Sequence, residues 1–348
     1  MKRIAKITVA LLLAVAMCFS LAGCYDEDLN WSAKYNDTEL PAGAYIYYLS
    51  IAYNEAASKV STEDEVLKCE IDGTPAETWI KKRADEYVNQ YFYIQNEMKR
   101  LGLEMTDEDY STCLQTTESY WNYFGTSFEK FGIAKTSFDI AYSQYNRMYL
   151  KVFNALYGEG GENEVPESEL RQHIEDDYYD YEYFSAPLTK TDDDNKSVDL
   201  TDEEKADLKE TLEKYKTKIE SGAMTVNDAA TDYALKVQQD STYQTGIKDE
   251  NGMQSSYMPD AFISAIKEMN EGDVEVVEST KYMIVLHRLP IKDDEDTLLE
   301  SSDNRSQLLL ELKNTEYADA VSAAAQSFEG VEWNQKVLNR YKPSMFAD

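Results

Sequence analysis

Between Trp79 and Leu101, seven largely apolar side chains (Ile80, Ala84, Tyr87, Tyr91, Ile94, Met98, Leu101) recur at intervals of 4-3-4-3-4-3. Only a helix of about six turns brings residues at that spacing to one face; a strand, with its period of two, scatters them over both. A second seam (Phe138, Ala141, Tyr145, Met148, Val152, Leu156) stops at Gly158-Glu159-Gly160-Gly161, where glycines end a helix readily. Gly102 ends the first seam, and Thr106-Asp107-Glu108-Asp109 predicts a cap with acids in the first turn, where the helix dipole favours them. The helix it opens should run to about Tyr123. Val165-Pro166-Glu167-Ser168-Glu169 starts another, with proline at a first-turn position. Residues 39–178 therefore read as a helical domain.

The signal changes at Asp180. Tyr181-Glu182-Tyr183-Phe184-Ser185-Ala186 is short and dense in aromatics, as strands are. Thr201-Asp202-Glu203-Glu204 fits a capping box, and Leu208, Leu212, Tyr215 and Ile219 continue it as a stripe ending at Ser221-Gly222. A shorter helix over about Val226–Val237, a Gly-bearing loop to Gln254, a helix over Ala261–Met269, a turn at Asn270–Asp273 and a strand over Thr280–His287 complete a β-α-α-α-β unit across 179–291. Residues 292–348 form a C-terminal helical segment, with a helix from Ser306 to about Phe328 and a short one around Trp333–Leu338. Whether it packs on the N-terminal domain stays open. The fold class is α+β.

Lys2, Arg3 and Lys6 precede an apolar run from Ile7 to Leu21 and then Leu21-Ala22-Gly23-Cys24. The run is shorter than the roughly 18 residues a membrane span needs, so it reads as an export signal. Its end is similar to the lipobox of bacterial lipoproteins, which implies a signal peptide over 1–23, acylation of Cys24 and a spacer over 24–38. An ordinary signal peptide that happens to contain Cys18 and Cys24 is the other reading. Two acyl chains are what stable anchoring takes, so the resemblance implies a lipid-anchored protein on the extracytoplasmic face of the bacterial cell membrane. Loss of residues 1–23 takes three positive charges from a net −32, leaving −35. That excludes nucleic acid as a partner and electrostatic adhesion to an anionic surface. Cys69 and Cys113 form one disulfide or stay two free thiols; spacing leaves both open.

A lipobox, a helical domain with the turn Leu101-Gly102-Leu103-Glu104-Met105-Thr106, then Phe131-Gly132-Ile133, then Val165–Leu170 leading to Tyr178-Tyr179, resembles the extracytoplasmic foldases of the PrsA and SurA type. The resemblance implies a helical chaperone-like domain (SurA N-terminal type), a parvulin-like peptidyl-prolyl isomerase domain and a returning C-terminal helix. Its most specific stretch is Tyr257-Met258-Pro259-Asp260-Ala261-Phe262 followed by Asn270–Val274 and Val276–Thr280, similar to the segment in which a Met and a Phe line the proline pocket. Met258 and Phe262 carry that pair; read alone, the same pair fits one helix face in an ordinary core. Active members place one His in the first strand and another in the last. No His lies between Asp177 and Leu188, the slot in the last strand is Met283, and Gly246 and Gly252 are the nearest remnants of the family's Gly-Gly-x-Leu-Gly turn.

The only histidines are His173, expected on a solvated helix face, and His287, expected at a strand end. Prolyl isomerisation makes and breaks no covalent bond, and its barrier of about 18–20 kcal/mol falls when a site binds the twisted amide better than the planar one. No nucleophile, metal or cofactor is called for, and none is assigned. Tyr183, Ser185 and Tyr282 are left to supply hydroxyl hydrogen bonds. The proline-pocket candidates are thus Met258, Phe262, Met283, Tyr183 and Tyr282, with no catalytic residue assigned.

The resemblance implies a foldase or chaperone whose partners are unfolded or newly exported polypeptides, bound at Pro-containing segments. An active isomerase with substituted site residues is the alternative, and a solute-binding lipoprotein, requiring two α/β lobes, a third reading. Oligomeric state is open. Asp192-Asp193-Asp194 and Asp293-Asp294-Glu295-Asp296 lack the alternating ligands of an organised Ca²⁺ loop and read as solvated runs. Tyr45, Tyr47, Tyr48 and Tyr53 with Tyr120, Trp121 and Tyr123 form either an aromatic cradle for unfolded chain or the core and rim of the helical domain.

Overall fold

Trp31 opens a strand rather than continuing a polar spacer. Strand β1 (Trp31–Tyr35) pairs antiparallel with β2 (Thr38–Pro41), and Asn36 holds the left-handed backbone of the turn at φ +50°, which asparagine tolerates better than most residues. Ser32 and Ala33 are fully buried, and Ser32 Oγ donates to the Leu40 carbonyl at 3.1 Å. The spacer expected over 24–38 therefore ends before this hairpin. The structure is a computed structural model that describes residues 30–347 except 62–64, 193 and 238–239; Cys24 lies outside the described residues.

Two units make up the described residues, one running to 163 and resuming at 313, the other spanning 164–312. In the first, helix α1 (Ala42–Ser58) leads to a small hairpin, β3 (Glu70–Ile71) and β4 (Thr74–Pro75), turned by Asp72 and Gly73, both at positive φ, as two-residue hairpins favour. Helix α2 (Ala76–Arg100) buries Ile80, Ala84, Tyr91, Ile94 and Met98 of the first seam. Helix α3 (Asp107–Lys130) opens with a reciprocal cap: the Asp109 N–H donates to the Thr106 hydroxyl at 3.1 Å and the Thr106 N–H to the Asp109 carboxylate at 2.8 Å. It runs on past Tyr123 to Lys130. The second seam is one rod in three parts, α4 (Lys135–Phe138), a π-helical turn (Asp139–Gln144) and α5 (Tyr145–Tyr157). The wide turn faces Asp139 and Ser143 onto the buried Thr117 hydroxyl, at 2.7 Å each. Buried Asp109 accepts from Arg147 at 2.5 Å and Lys151 at 2.7 Å, tying α3 to α5.

Helix α6 (Glu167–Asp177) belongs to the second unit, so the border falls after residue 163 rather than at 178. Leu170 and Ile174 are buried, and the helix packs on the strand it runs straight into. That strand, β5 (Tyr178–Pro187), is followed by a hairpin of β6 (Thr189–Thr191) and β7 (Ser197–Asp199). Asp192 accepts the backbone N–H groups of Asp194 and Lys196 at the hairpin's turn. Then come α7 (Asp202–Glu220), α8 (Val226–Val237), β8 (Gln244–Asp249), α9 (Glu250–Ser255), α10 (Asp260–Glu268), β9 (Val274–Glu278) and β10 (Tyr282–Leu289). The four long strands form one sheet in the order β8-β5-β10-β9, every neighbour antiparallel.

The β-α-α-α-β unit read from the sequence is thus corrected to a four-stranded one. The two strands of this sheet that were missed, β8 and β9, are its edges. Neither is buried deeply enough to require the hydrophobic alternation that makes a strand legible.

Alternation sorts β5 and β10 cleanly. Phe184 and Ala186 join Met283 and Val285 against Leu212, Tyr215 and Ala229 of α7 and α8. Tyr181 joins Ile284 and Leu286 against Phe262, Ile263 and Ile266 of α10. Helix α11 (Glu295–Glu300) is tied to α6 by Arg171, which donates to Glu295 at 2.6 Å.

Helix α12 (Ser302–Gln326) is followed by β11 (Glu332–Trp333) and α13 (Gln335–Arg340), with residues 313 onward part of the first unit. There β11 pairs with β1, Ala33 opposite Trp333. Asn89 donates to the Ala325 carbonyl at 3.0 Å, and Asn334 to the Trp31 carbonyl at 2.8 Å. The C-terminal segment therefore completes the N-terminal unit, and Trp333 is strand rather than helix.

Candidate functional site

Pro259, at φ −59°, leads the chain into α10, its ring fixing the backbone angle a first turn needs. Met258, just before the helix, and Phe262, within it, join one cluster. Phe262 is 1% exposed, and its ring meets Tyr181 at 5.2 Å between centroids and Tyr183 at 5.1 Å, both edge-on. Such contacts set the positive edge of one ring on the negative face of another. The Tyr181 hydroxyl donates to Met258 Sδ at 3.5 Å and the Tyr183 hydroxyl to Gln244 Oε1 at 2.6 Å. Met258 and Tyr183 are half-buried. Burial pushes both phenols up, so they remain hydroxyl donors at neutral pH. The result is a packed apolar cluster in which Phe262 and Tyr181 are closed off while Met258 and Tyr183 form a half-covered edge.

Three sequence candidates therefore come together: Met258, Phe262 and Tyr183. Met283 does not join them. It is 1% exposed and lies on the opposite face of the sheet among Phe184, Leu212 and Val285, because odd-numbered positions of β10 point away from α10. Tyr282 shares the face of Ile284 but pairs with Pro187, whereas Tyr183 pairs with Leu286; four residues of strand put them about 13 Å apart. Tyr181 was missed as a pocket residue. Its signal is visible in hindsight, since Tyr179, Tyr181 and Tyr183 occupy every second position of one strand. The N–H and carbonyl of Ser185 are both held by the Thr242 hydroxyl, at 2.9 and 2.7 Å.

Both histidines are corrected. His287 sits inside β10, opposite Glu182, and its Nδ1 lies 2.9 Å from that carboxylate. Tyr243 also donates to Glu182, at 2.9 Å. Burial works to raise the Glu182 carboxyl, but the bonds from His287 and Tyr243 outweigh it and hold it below its ordinary value. His173 is only 15% exposed, its ring nitrogens 2.8 Å from Asp177 and 2.9 Å from Glu311. Each histidine has a structural partner. Cys69 and Cys113 are free thiols, the first half-buried and the second buried. Among the described residues no group of His, Cys, Asp and Glu is placed to hold a metal ion, and no helix is long and apolar enough to cross a membrane.

No family model matches the chain, and no curated protein does. Among solved structures, it is similar to foldase protein PrsA from Streptococcus pneumoniae, with 13% identity, 78% of this chain and 97% of that one covered, and a TM-score of 0.39. The Lactococcus lactis PrsA structure is 12% identical, with 89% and 98% covered and a TM-score of 0.37. For PrsA from Bacillus subtilis the identity is 14%, the coverage 80% and 93%, and the TM-score 0.32. Scores this low leave the reading of the site to its own residues.

Of the two readings of the first unit's aromatic residues, core and rim describes the tyrosines near its N-terminus. Tyr45, Tyr47 and Tyr48 are buried, and the Tyr48 hydroxyl donates to the Ala141 carbonyl at 3.1 Å, so these are core. Tyr120 and Tyr123 of the expected set are exposed along α3 together with Tyr110, Leu114 and Phe124, with Tyr123 the most open at 84%.

Proposed function

We propose that this protein is an extracytoplasmic foldase or chaperone, tethered by lipid at Cys24, that binds Pro-containing segments of unfolded or newly exported chains. The observation that carries the reading is the cluster of Phe262, Tyr181, Tyr183 and Met258: an aromatic floor with a half-buried thioether and two hydroxyls. A proline ring fits such a floor, and the hydroxyls suit the flanking amide. The exposed apolar side chains along α3 offer further surface on which unfolded chain can rest without sequence demands. Support for the anchor is the lipobox-like Leu21-Ala22-Gly23-Cys24. The solute-binding reading loses its support, since the one large sheet among the described residues is antiparallel throughout.

Binding is separated from turnover by the rate of cis/trans exchange in a panel of Xaa-Pro peptides, followed by NMR exchange spectroscopy with and without the chain from Tyr25 onward. Peptide shifts without faster exchange are the expected result and make the pocket a binding module. Faster exchange that Phe262→Leu abolishes makes the protein an isomerase without the family's histidines, with Tyr181 and Tyr183 the hydroxyls nearest the floor. No shift and no acceleration removes the proline-pocket reading.

A further inference from the structure

Four non-glycine residues among those described take a left-handed backbone: Asn36, Asp72, Asn195 and Tyr257. The first three are of the types whose short polar side chains tolerate it. Tyr257 is not, and it holds φ +57° while its side chain is 94% exposed. Its N–H donates to the Gln254 carbonyl at 2.9 Å, and the Met258 N–H donates to the Met253 carbonyl at 3.1 Å. That pair of bonds closes the C-terminal cap of α9, a position where glycine is the usual residue. A bulky ring here strains the backbone, and burial returns nothing for it.

Strain without a stabilising contact points to a functional demand. Tyr257 is one peptide bond from Met258, whose sulfur accepts from Tyr181 at the rim of the Phe262 floor. Resting on the proline-pocket reading above, we propose that Tyr257 is a specificity-determining residue that packs on an aromatic residue next to the bound proline. The preferred ligand class is then an extended peptide with an aromatic residue flanking proline. Glycine at 257 would relieve the backbone and remove the ring, so stability and binding should move in opposite directions, which a purely structural role does not produce.

The test uses the full chain in lipid nanodiscs and two end-blocked peptides, one with Phe on both sides of a single proline and one with Ala in both places. Binding is read by fluorescence anisotropy against empty nanodiscs and stability by thermal melting. Y257G should melt no lower than wild type yet bind the Phe-flanked peptide at least tenfold more weakly; Y257F should bind it as wild type does. The Ala-flanked peptide should be indifferent to both substitutions. Equal affinity of Y257G and wild type for the Phe-flanked peptide, with Phe262→Leu weakened, overturns the role of Tyr257 and leaves the pocket standing. A wild-type chain that binds neither peptide overturns the pocket reading itself.

Discussion

The two faces of the four-stranded sheet are made by alternate residues of the same strands, yet they differ in finish. Toward α7 and α8, Phe184, Ala186, Met283 and Val285 meet Leu212, Tyr215 and Ala229, every one of them buried. Toward α10, Phe262 and Ile266 are as deeply buried, but Tyr179, Tyr183 and Met258 around them are only half-covered. Half-covered Leu208, Tyr233 and Val276 edge the first face, but its residues on the two central strands are closed off. The other ends in a half-covered edge of tyrosine rings and a thioether. Side-chain alternation alone cannot produce that contrast, because each helix covers its face to a different extent.

The largest test sets neighbours on opposite faces against each other. Phe184→Ala should cost about 3–5 kcal/mol in urea unfolding, as large-to-small changes in closed cores do. Tyr183→Ala, one residue away, should cost less than about 2 kcal/mol because its ring already meets water. Equal losses would erase the distinction between the faces.

A second test uses charge on the α7 and α8 side of β5. Asp180 is 4% exposed; burial first, and then the nearby Asp294 charge, push its carboxyl up to about 7. A carboxyl that binds its proton more tightly when folded contributes full stability below the unfolded value of 3.8, and loses it as pH rises through about 7. Glu182 behaves oppositely. Its lowered carboxyl stabilises above the ordinary 4.5 and loses that contribution as pH falls below it. Asp180→Asn should therefore flatten the loss between pH 4 and 7, a slope of at most about 1.4 kcal/mol per pH unit. Glu182→Gln should remove the acid-side loss. Asp85, in the first unit, is also raised to about 7, by burial and then Glu86. Amide hydrogen exchange on β5 and β10 keeps the units apart, and an unchanged profile in Asp180→Asn counts against the buried-proton account.

On the open face the effects should be smaller for stability and larger for ligand. Met258→Ala should cost about 1 kcal/mol or less, since the side chain is half-buried, while peptide affinity falls about tenfold; an unaltered affinity would leave Met258 as packing. Smallest of all, Tyr183→Phe removes the bond to Gln244 at about 0.5–1.5 kcal/mol. Its effect on peptide exchange, set against that loss, shows whether this hydroxyl reaches the ligand.

Much of this was legible before any coordinates. The α2 seam, the Thr106 and Thr201 caps and the central strands β5 and β10 follow from periodicity and turn chemistry, because those signals act over a few residues. The Met258/Phe262 pair was legible as a pair but not as a site, since i, i+4 apolar spacing suits pocket and core alike. The tyrosines show the limit most clearly: Tyr47 and Tyr123 are the same residue type on helices of the same unit, one buried and one open to water. Local sequence sets which face of a helix is apolar, not which helix covers it.

The sequence by itself determined the helical character of the first unit, the change to strand near Asp180, the strongly acidic charge, and the four-residue spacing of Met258 and Phe262. The tertiary structure decided the rest: the edge strands β8 and β9, the return of residues 313–348 to pair with Trp31–Tyr35, the burial of Met283 on the closed face, and the strained, exposed Tyr257. These depend on contacts between residues far apart in the chain. No local pattern encodes such contacts, because their free energy appears only when the distant partners meet.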